Sequence, residues 1–155
     1  KGLTLLELLI GIFIISILAM VALPTYTDYR TRAKVGEGIK AVSKLKTNVE
    51  EYYSVNGVMP TKNEQVGLEK KAKKNTDVYI ERIRITANPR PGTIRVFWDD
   101  VYELPELDKK NRINFVPQVV NGRVRWDCNT GNMLDKYRPS NCRGGLQDLD
   151  EDGES

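Results

Sequence analysis

The chain begins with an apolar run and changes its hydrophobic pattern twice afterwards. From Leu3 to Leu23 the only ionisable side chain is Glu7. At about 1.5 Å per helical residue these positions span roughly 30 Å, which is the thickness of one hydrocarbon core. We therefore predict a membrane-spanning helix. A carboxylate inside such a helix is costly and usually marks a function, so Glu7 needs a partner, and the segment supplies none.

After Pro24 the pattern becomes amphipathic, with apolar side chains recurring every three or four residues, which predicts a helix with one apolar stripe. We predict a single helix from about Thr4 to about Ser54, kinked at Pro24 because proline removes a backbone hydrogen bond. Gly36 and Gly38 each cost this helix about 1 kcal/mol relative to alanine. Asn56-Gly57 ends it. The stripe consists of Val35, Ile39, Val42, Leu45, Val49 and either Tyr52 or Tyr53.

From residue 78 onwards the pattern has the period of two that is typical of strands. The alternation slips within the first strand, which indicates a bulge. Asn121-Gly122 predicts a hairpin with a type I′ turn, since this pair supplies positive φ values. Four consecutive strands favour an antiparallel sheet with one face covered by the helical stripe, an α+β fold, with Trp98 and Trp126 in the core or facing the helix. The predicted strands are Val78–Thr86, Thr93–Trp98, Arg112–Val120 and Arg123–Asp127.

The segment between helix and sheet is polar and rich in lysine. A short helix from about Glu64 to Lys74 is compatible with its pattern. The lysines favour a solvated loop face, with a patch that binds DNA, a surface or a partner as the alternative. Interleaved aromatic side chains, which stack on bases, are missing from the cluster. Its members are Lys62, Lys70, Lys71, Lys73 and Lys74.

Composition limits both the size of the head and its chemistry. A chain of 155 residues, 40% of them apolar, leaves room for one globular domain after the first helix. The sequence contains no histidine, which excludes a histidine-based catalytic triad, proton shuttle or metal site. Since it also lacks a glycine-rich phosphate loop and any other catalytic arrangement, we expect no enzymatic activity and no cofactor.

The C-terminal end is acidic, with five acidic side chains and no basic one in the last ten residues, although the formal net charge of the chain is +3. The body ahead of it is therefore basic, which more often just keeps a protein soluble. Asp148, Asp150 and Asp152, followed by Gly153, spell the first half of a calcium loop. The bidentate acid that completes such a loop is not in the sequence. We expect residues 143–155 to form a disordered tail, with a calcium site as the weaker alternative.

Cys128 and Cys142 allow a single intramolecular pairing. If the first helix leaves its N-terminus inside the cell, both lie in an oxidising compartment and are expected to form a disulfide that closes the loop between them. A metal site and a redox pair are the alternatives. Two thiolates without histidine complete a metal site poorly, and the C-x-x-C spacing of redox pairs is lacking.

The opening K-G-L-T-L-L-E resembles the class III signal sequence of type IV pilins and the related pseudopilins. The resemblance implies that a prepilin peptidase of the inner membrane cleaves between Gly2 and Leu3 and N-methylates Leu3, with residues 1–2 as the end of a leader. Glu7 then occupies the position of the family's invariant acid. Leu3 stands where phenylalanine is commoner in the family. Pro24, with two tyrosines soon after it, also matches, as does the C-terminal cysteine pair.

In function, the resemblance implies a structural subunit that leaves the inner membrane and polymerises through its apolar helix into an extracellular pilus, or fimbrium. Such fibres serve adhesion, twitching motility or DNA uptake. The implied partners are further copies of the chain, the prepilin peptidase, the pilus assembly machinery and, at the fibre surface, DNA or a host surface. A minor pilin that binds DNA or a surface is the alternative. A type II secretion pseudopilin is a third, disfavoured because pseudopilins commonly lack the disulfide.

Assembly gives Glu7 the partner that its own segment lacks, because the amino terminus of a mature chain beginning at Leu3 can pair with Glu7 of a neighbouring subunit. In related pili the region just ahead of the matching proline is stretched or unwound in the fibre, so the resemblance implies a role in assembly for Pro24 as well. The expected division is 1–2 leader end, 3–24 membrane and fibre-core helix, 25–54 amphipathic helix, 55–77 connecting loop, 78–127 sheet, 128–142 disulfide loop and 143–155 tail.

Overall fold

The computed structural model describes residues 2–70, 79–100 and 104–144, and of residues 21–24 the backbone alone. One long helix, α1 (Leu5–Asn56), precedes four strands that follow one another in a single antiparallel sheet in the order in which they occur in the chain. The predicted α+β fold is therefore confirmed. The strands are β1 (Ile80–Thr86), β2 (Thr93–Trp98), β3 (Arg112–Val120) and β4 (Arg123–Thr130).

Both ends of α1 are set by capping residues. The helix begins after Thr4, whose side chain accepts a hydrogen bond from the backbone N–H of Glu7. It ends where Gly57 takes a left-handed conformation with φ of 70° and donates its N–H to the carbonyl of Tyr53 at 2.8 Å. The glycine predicted to end the helix does so. The backbone stays helical through residue 24, and the kink at Pro24 stays a prediction.

The core lies between the second half of α1 and one face of the sheet. Four members of the predicted stripe are buried, and Ile39 packs against them as a half-buried side chain. Removing these apolar groups from water is the main favourable contribution to holding helix and sheet together. The principal buried residues are Val35, Val42, Leu45 and Val49 from α1, and Ile94, Val96, Trp98, Ile113 and Phe115 from the sheet.

The sheet follows the predicted pattern with one extension. In β1 the register shifts between Ile80 and Arg82, so the predicted bulge is confirmed. The turn between β3 and β4 has positive φ at Asn121 and Gly122, as a type I′ turn requires. β4, however, continues to Thr130, because Thr130 pairs with Asn114 across a second register shift. Cys128, expected to follow the last strand, therefore lies within it.

The short helix expected from Glu64 to Lys74 is wrong over its described part. A 3₁₀ helix covers only Asn63–Val66, and Gly67 ends it with φ of 77°. The buried Asn63 side chain explains this local structure, since its Oδ1 accepts the N–H of Ile85 in β1 at 2.7 Å. Residues 71–78, which include three of the clustered lysines and the predicted start of the first strand, lie outside the described residues.

Gly38 has a packing role that its helical propensity does not reveal. A Cβ atom added at Gly38 would lie 2.6 Å from Nε1 of the buried Trp98, whereas one added at Gly36 would meet nothing within 4 Å. Helix and sheet therefore approach closely at Gly38 because no side chain stands between them. The expected cost of glycine in a helix is offset there by this contact, and at Gly36 it is not.

The two glycines should consequently respond to alanine in opposite directions. We expect Gly38→Ala to lower the free energy of unfolding by about 1–3 kcal/mol through overpacking. Gly36→Ala should raise it by about 0.5–1 kcal/mol through helix propensity. Urea unfolding of the detergent-solubilised full chain, followed by tryptophan fluorescence, measures both. Equal effects at the two positions would contradict the close approach at Trp98.

Candidate functional site

The N-terminal turn holds Glu7 by hydrogen bonds within its own chain. Glu7 Oε2 accepts the backbone N–H of Thr4 at 3.1 Å and its hydroxyl at 3.0 Å. In return, the N–H of Glu7 donates to Thr4 Oγ1 at 3.3 Å, which completes a capping box. The expectation that the segment supplies no partner is therefore wrong. These donors are neutral, so they orient the carboxylate without neutralising its charge.

The first half of α1 leaves its large apolar side chains in contact with solvent. Leu3 is 84% exposed, Phe13 66% and Met20 76%. By length and composition this helix could cross a membrane. The hydroxyl of Ser16 donates to the carbonyl of Ile12 at 2.7 Å, so this polar group is satisfied within the helix. An apolar surface of this extent is typical of a segment that lipid or another protein covers.

The predicted disulfide joins Cys128 of β4 to Cys142, in a 3₁₀ helix at Ser140–Cys142. Both cysteines are buried, and the described residues contain no free cysteine. The sulfur atoms are therefore bonded to each other, which leaves no thiolate for the metal-site alternative. Burial of both sulfur atoms disfavours the redox alternative, since reactive cysteines are accessible. The chain between them, called the disulfide loop below, covers residues 129–141.

A buried arginine organises the disulfide loop from inside. Arg138 is fully buried, and its guanidinium donates to the carbonyls of Met133 (2.8 Å), Asn129 (2.6 Å) and Gly131 (2.6 Å). A longer bond of 3.4 Å reaches the carbonyl of Cys142. Buried carbonyl groups at the end of β4 and in the chain beyond it need such donors. The rigid fork of the guanidinium supplies them from one side chain.

Two further features fit this arginine into place. Asp135 Oδ1 lies 3.7 Å from Arg138 Nε, which places an opposite charge beside the buried cation. Gly131, with φ of 116°, brings the backbone so near to the carbonyl of Arg112 that an added Cβ would clash with it. Neither Arg138 nor Gly131 was predicted from the sequence. An arginine and a glycine inside a cysteine-bounded segment were the available signal, but surface loops contain the same residues.

The disulfide loop is attached to α1 by polar contacts near Asp28. Lys136 Nζ lies 3.1 Å from Asp28 Oδ1, and the hydroxyl of Tyr137 donates to the same oxygen at 3.2 Å. Arg32 Nε donates to the carbonyl of Lys136 at 2.8 Å. Two hydrogen bonds raise the pKa of Lys136 above its usual value, and the bond with Tyr137 has a larger effect than the bond with Asp28. The disulfide loop thus contacts α1 a short distance beyond Leu23, where the apolar run ends.

A second polar contact joins α1 to β4. Trp126, predicted to lie in the core or to face the helix, donates its Nε1–H to Glu50 Oε1 at 2.7 Å. Lys46 Nζ lies over the ring of Phe115, 4.4 Å from its centroid. Desolvation lowers the pKa of Lys46, and the charge of Glu50 opposes this effect. These contacts add orientation to the apolar packing of helix on sheet.

A basic groove lies where the connecting loop meets β1. It has a volume of about 580 Å³, and four basic side chains line it. Lys62 and Lys70 belong to the lysine cluster noted in the sequence, but Arg82 and Arg84 come from β1. These arginines were predicted only as strand positions, and their place beside the lysines was not predicted. Arg82 stacks on Phe97, with its guanidinium 4.2 Å from the ring centroid.

No cluster of three metal-binding side chains occurs among residues 2–70, 79–100 and 104–144. The acidic residues of the half calcium loop, Asp148, Asp150 and Asp152, lie outside this described part. A calcium site there stays a prediction of the weaker kind. Gly2 and Leu3, the residues of the expected processing site, lie just ahead of α1 and are exposed.

A comparison with known families gives the affiliation of this fold. Residues 31–143 match the family model described as pilin, a bacterial filament protein. This chain belongs to the pilin family. Because the match runs from the second half of α1 to the residue after Cys142, it includes the packed helix, the sheet and the disulfide. Pilins are structural proteins.

Several curated pilins resemble this one over most of their length. The fimbrial protein EcpC of Eikenella corrodens is 34% identical over 143 residues, which cover 92% of this chain and 90% of EcpC. The type IV major pilin protein PilE1 of Neisseria gonorrhoeae is 31% identical over 161 residues, with coverages of 92% and 87%. A fimbrial protein of Neisseria meningitidis serogroup B is 34% identical over 145 residues, with coverages of 91% and 79%.

The role of Arg138 in this pilin can be tested by a substitution that keeps its charge. Arg138→Lys retains a cation but loses the fork that reaches several carbonyls, so we expect the free energy of unfolding to fall by about 2–4 kcal/mol. Arg123→Lys, at an exposed position of β4, is the matched control and should change it by less than about 0.5 kcal/mol. Urea unfolding without reductant measures both. A small effect of Arg138→Lys would show that the disulfide alone holds the loop.

Proposed function

We propose that this pilin is the main structural subunit of a type IV pilus and polymerises through the first half of α1. The observation that carries the proposal is the contrast between the two halves of one helix. The second half buries its apolar stripe on the sheet, whereas the first half exposes Leu3, Phe13, Met20 and their apolar neighbours. Relatives named type IV major pilins and fimbrial proteins, similar over most of the chain, support the same function.

The first half of α1 has two environments in this proposal. Before assembly it lies in the inner membrane, where its length and apolar surface suit the hydrocarbon core. After assembly it lies in the centre of an extracellular fibre, packed against the same segment of other copies. Each large apolar side chain buried there instead of exposed to water contributes roughly 1.5–3 kcal/mol. Monomers outside lipid are therefore unfavourable, and fibres are favoured.

Processing and assembly factors complete the proposal. A prepilin peptidase would cleave between Gly2 and Leu3 and methylate the new terminus. The exposure of both residues ahead of the first helical turn supports access by such an enzyme. The assembly machinery would supply the energy that extracts subunits from the membrane.

Glu7 provides register between subunits. Its carboxylate would pair with the amino terminus of Leu3 on a neighbouring copy, and the hydrogen bonds from Thr4 support this role because they fix the carboxylate in one orientation. A charge held in this way attracts a cation strongly once both enter the apolar centre of a fibre.

A minor pilin that binds DNA or a surface is the second candidate, favoured by the basic groove between the connecting loop and β1. Abundance separates the two functions. If the chain is the main subunit, it will form the dominant band when fibres are sheared from the cell surface and purified. Fibres that persist with only traces of this chain would overturn the main-subunit proposal and leave the minor role.

The charge of Glu7 can be separated from its capping function by two substitutions. Glu7→Gln keeps an acceptor for the Thr4 hydrogen bonds, since glutamine serves the same position of a capping box. Glu7→Ala removes both the acceptor and the charge. We expect both variants to insert into the membrane but to give at least about tenfold fewer sheared fibres than the wild type, because each lacks the charge that pairs with a neighbour.

Normal fibre yield from Glu7→Gln, with loss only in Glu7→Ala, would assign Glu7 to helix capping and sink the pairing argument. Membrane fractionation checks that both variants are inserted. Thr4→Val is the complementary control, because it removes the hydroxyl bonds but leaves the carboxylate charged. It should reduce fibre yield less than Glu7→Gln does.

A further inference from the structure

Two charged features of this pilin take no part in the proposed polymerisation through α1. One is the basic groove, which Lys62, Lys70, Arg82 and Arg84 line; among its described lining residues Glu64 is the only acidic one. The other is the acidic end of the sequence, residues 145–155, where five acidic side chains occur without a basic one. The two features are complementary in charge.

The groove is built on fixed backbone. Asn63 is buried below it and binds the edge strand β1 with both ends of its amide. Its Oδ1 accepts from the N–H of Ile85 at 2.7 Å, and its Nδ2 donates to the carbonyl of Ile83 at 3.5 Å. Arg82 is held by stacking on Phe97. Lys62 and Lys70 are exposed, so their charges face solvent above this base.

The groove and Gly144, the last described residue before the acidic segment, lie at opposite edges of the sheet. β1 carries the groove, and the strand order makes β1 and β4 the two edge strands. Gly144 follows Cys142 by two residues, and its N–H donates to Asp135 Oδ2 at 3.4 Å, close to the disulfide that ties this region to β4. A contact between opposite edges of two copies can repeat from subunit to subunit along a fibre.

We propose that the acidic segment 145–155 of one subunit binds the basic groove of a neighbouring subunit in the fibre. This contact rests on the proposed function, because only a fibre keeps the neighbour at a high effective concentration. Its chemistry is that of a short acidic peptide on a row of lysine and arginine side chains. Free DNA is the weaker occupant, because the acidic segment of each copy repels a polyanion and competes for the same charges.

Cysteine crosslinking in assembled fibres tests the contact with the full-length chain. Thr61→Cys places a thiol at an exposed lining position of the groove, and Leu149→Cys places one among the acidic residues without removing any of them. After mild oxidation of sheared fibres, a non-reducing gel should show a ladder of covalent dimers and higher species. Each single-cysteine variant has one free thiol per chain, so it should give covalent dimers at most and no ladder. The native disulfide is buried and already formed.

The outcomes separate the two proposals. If no fibres are obtained from the wild-type chain, the proposed function fails. If fibres form but the double-cysteine variant stays monomeric with free thiols, the contact is refuted while the pilus function stands. A monomer without free thiols would show that the acidic segment binds its own groove, which overturns the contact between neighbours.

Charge reversal tests the chemistry of the contact. In the double-cysteine background, Lys62→Glu with Lys70→Glu should slow crosslinking about tenfold, and added salt should slow it in the wild-type groove. Arg90→Glu with Lys110→Glu, at exposed positions outside the groove, is the matched control and should have little effect. Changing Asp148, Asp150 and Asp152 to lysine should restore crosslinking in the reversed groove.

Crosslinking that is indifferent to these reversals would overturn the electrostatic contact. DNA is distinguished by a gel shift of intact fibres. If duplex DNA binds the fibres, and if Lys62→Glu with Lys70→Glu abolishes binding while deletion of residues 145–155 leaves it unchanged, the groove belongs to DNA and the proposal fails.

Discussion

The packing of the second half of α1 on the sheet is the contact on which the rest of this pilin depends. It withdraws Val35, Val42, Leu45 and Val49 from water and covers one face of the sheet, which would otherwise expose its apolar side chains. Because this contact uses only the second half of the helix, the large apolar side chains of residues 5–20 are left exposed in the described part of the chain. One continuous helix thus has a buried apolar surface in its second half and an exposed apolar surface in its first half. Lipid or other copies of the chain can cover the exposed surface.

Periodicity predicted the elements whose burial is decided locally. The bounds of β2 and β3, the stripe on α1 and the turn at Asn121-Gly122 agree with the structure because each depends on the order of apolar and polar residues within a short window. The end of β4 could not be found in this way. Its last residue, Thr130, is in the strand because it pairs with Asn114 of the neighbouring strand, and the composition around Cys128 resembles that of a loop.

The residues of the candidate site also differ in whether a short stretch of sequence reveals them. Gly2, Leu3 and Glu7 were identified from a contiguous motif, whereas Arg138 and Asn63 act through backbone groups that the fold brings to them. In a sequence, a buried arginine that serves four carbonyls looks like any solvated arginine in a polar loop. Only the lysines of the basic groove could be recognised in the sequence, because they are clustered in the chain, whereas its arginines come from the edge strand β1. Tertiary polar contacts of this kind leave no periodic signal.

The attachment of the disulfide loop to α1 has a mechanical consequence for assembly. Asp28 lies only about 8 Å along the helix beyond Leu23, so the disulfide loop contacts α1 next to the proposed membrane boundary. Its contacts there, from Lys136 and Tyr137, are polar and partly exposed, and each contributes little to stability. The loop itself is held more firmly, by a covalent bond and the buried Arg138. A conformational change in α1 ahead of residue 28 can therefore break the polar contacts at Asp28 before it unfolds the disulfide loop. The sheet and the disulfide loop can then present the same surface in the membrane-bound subunit and in the fibre.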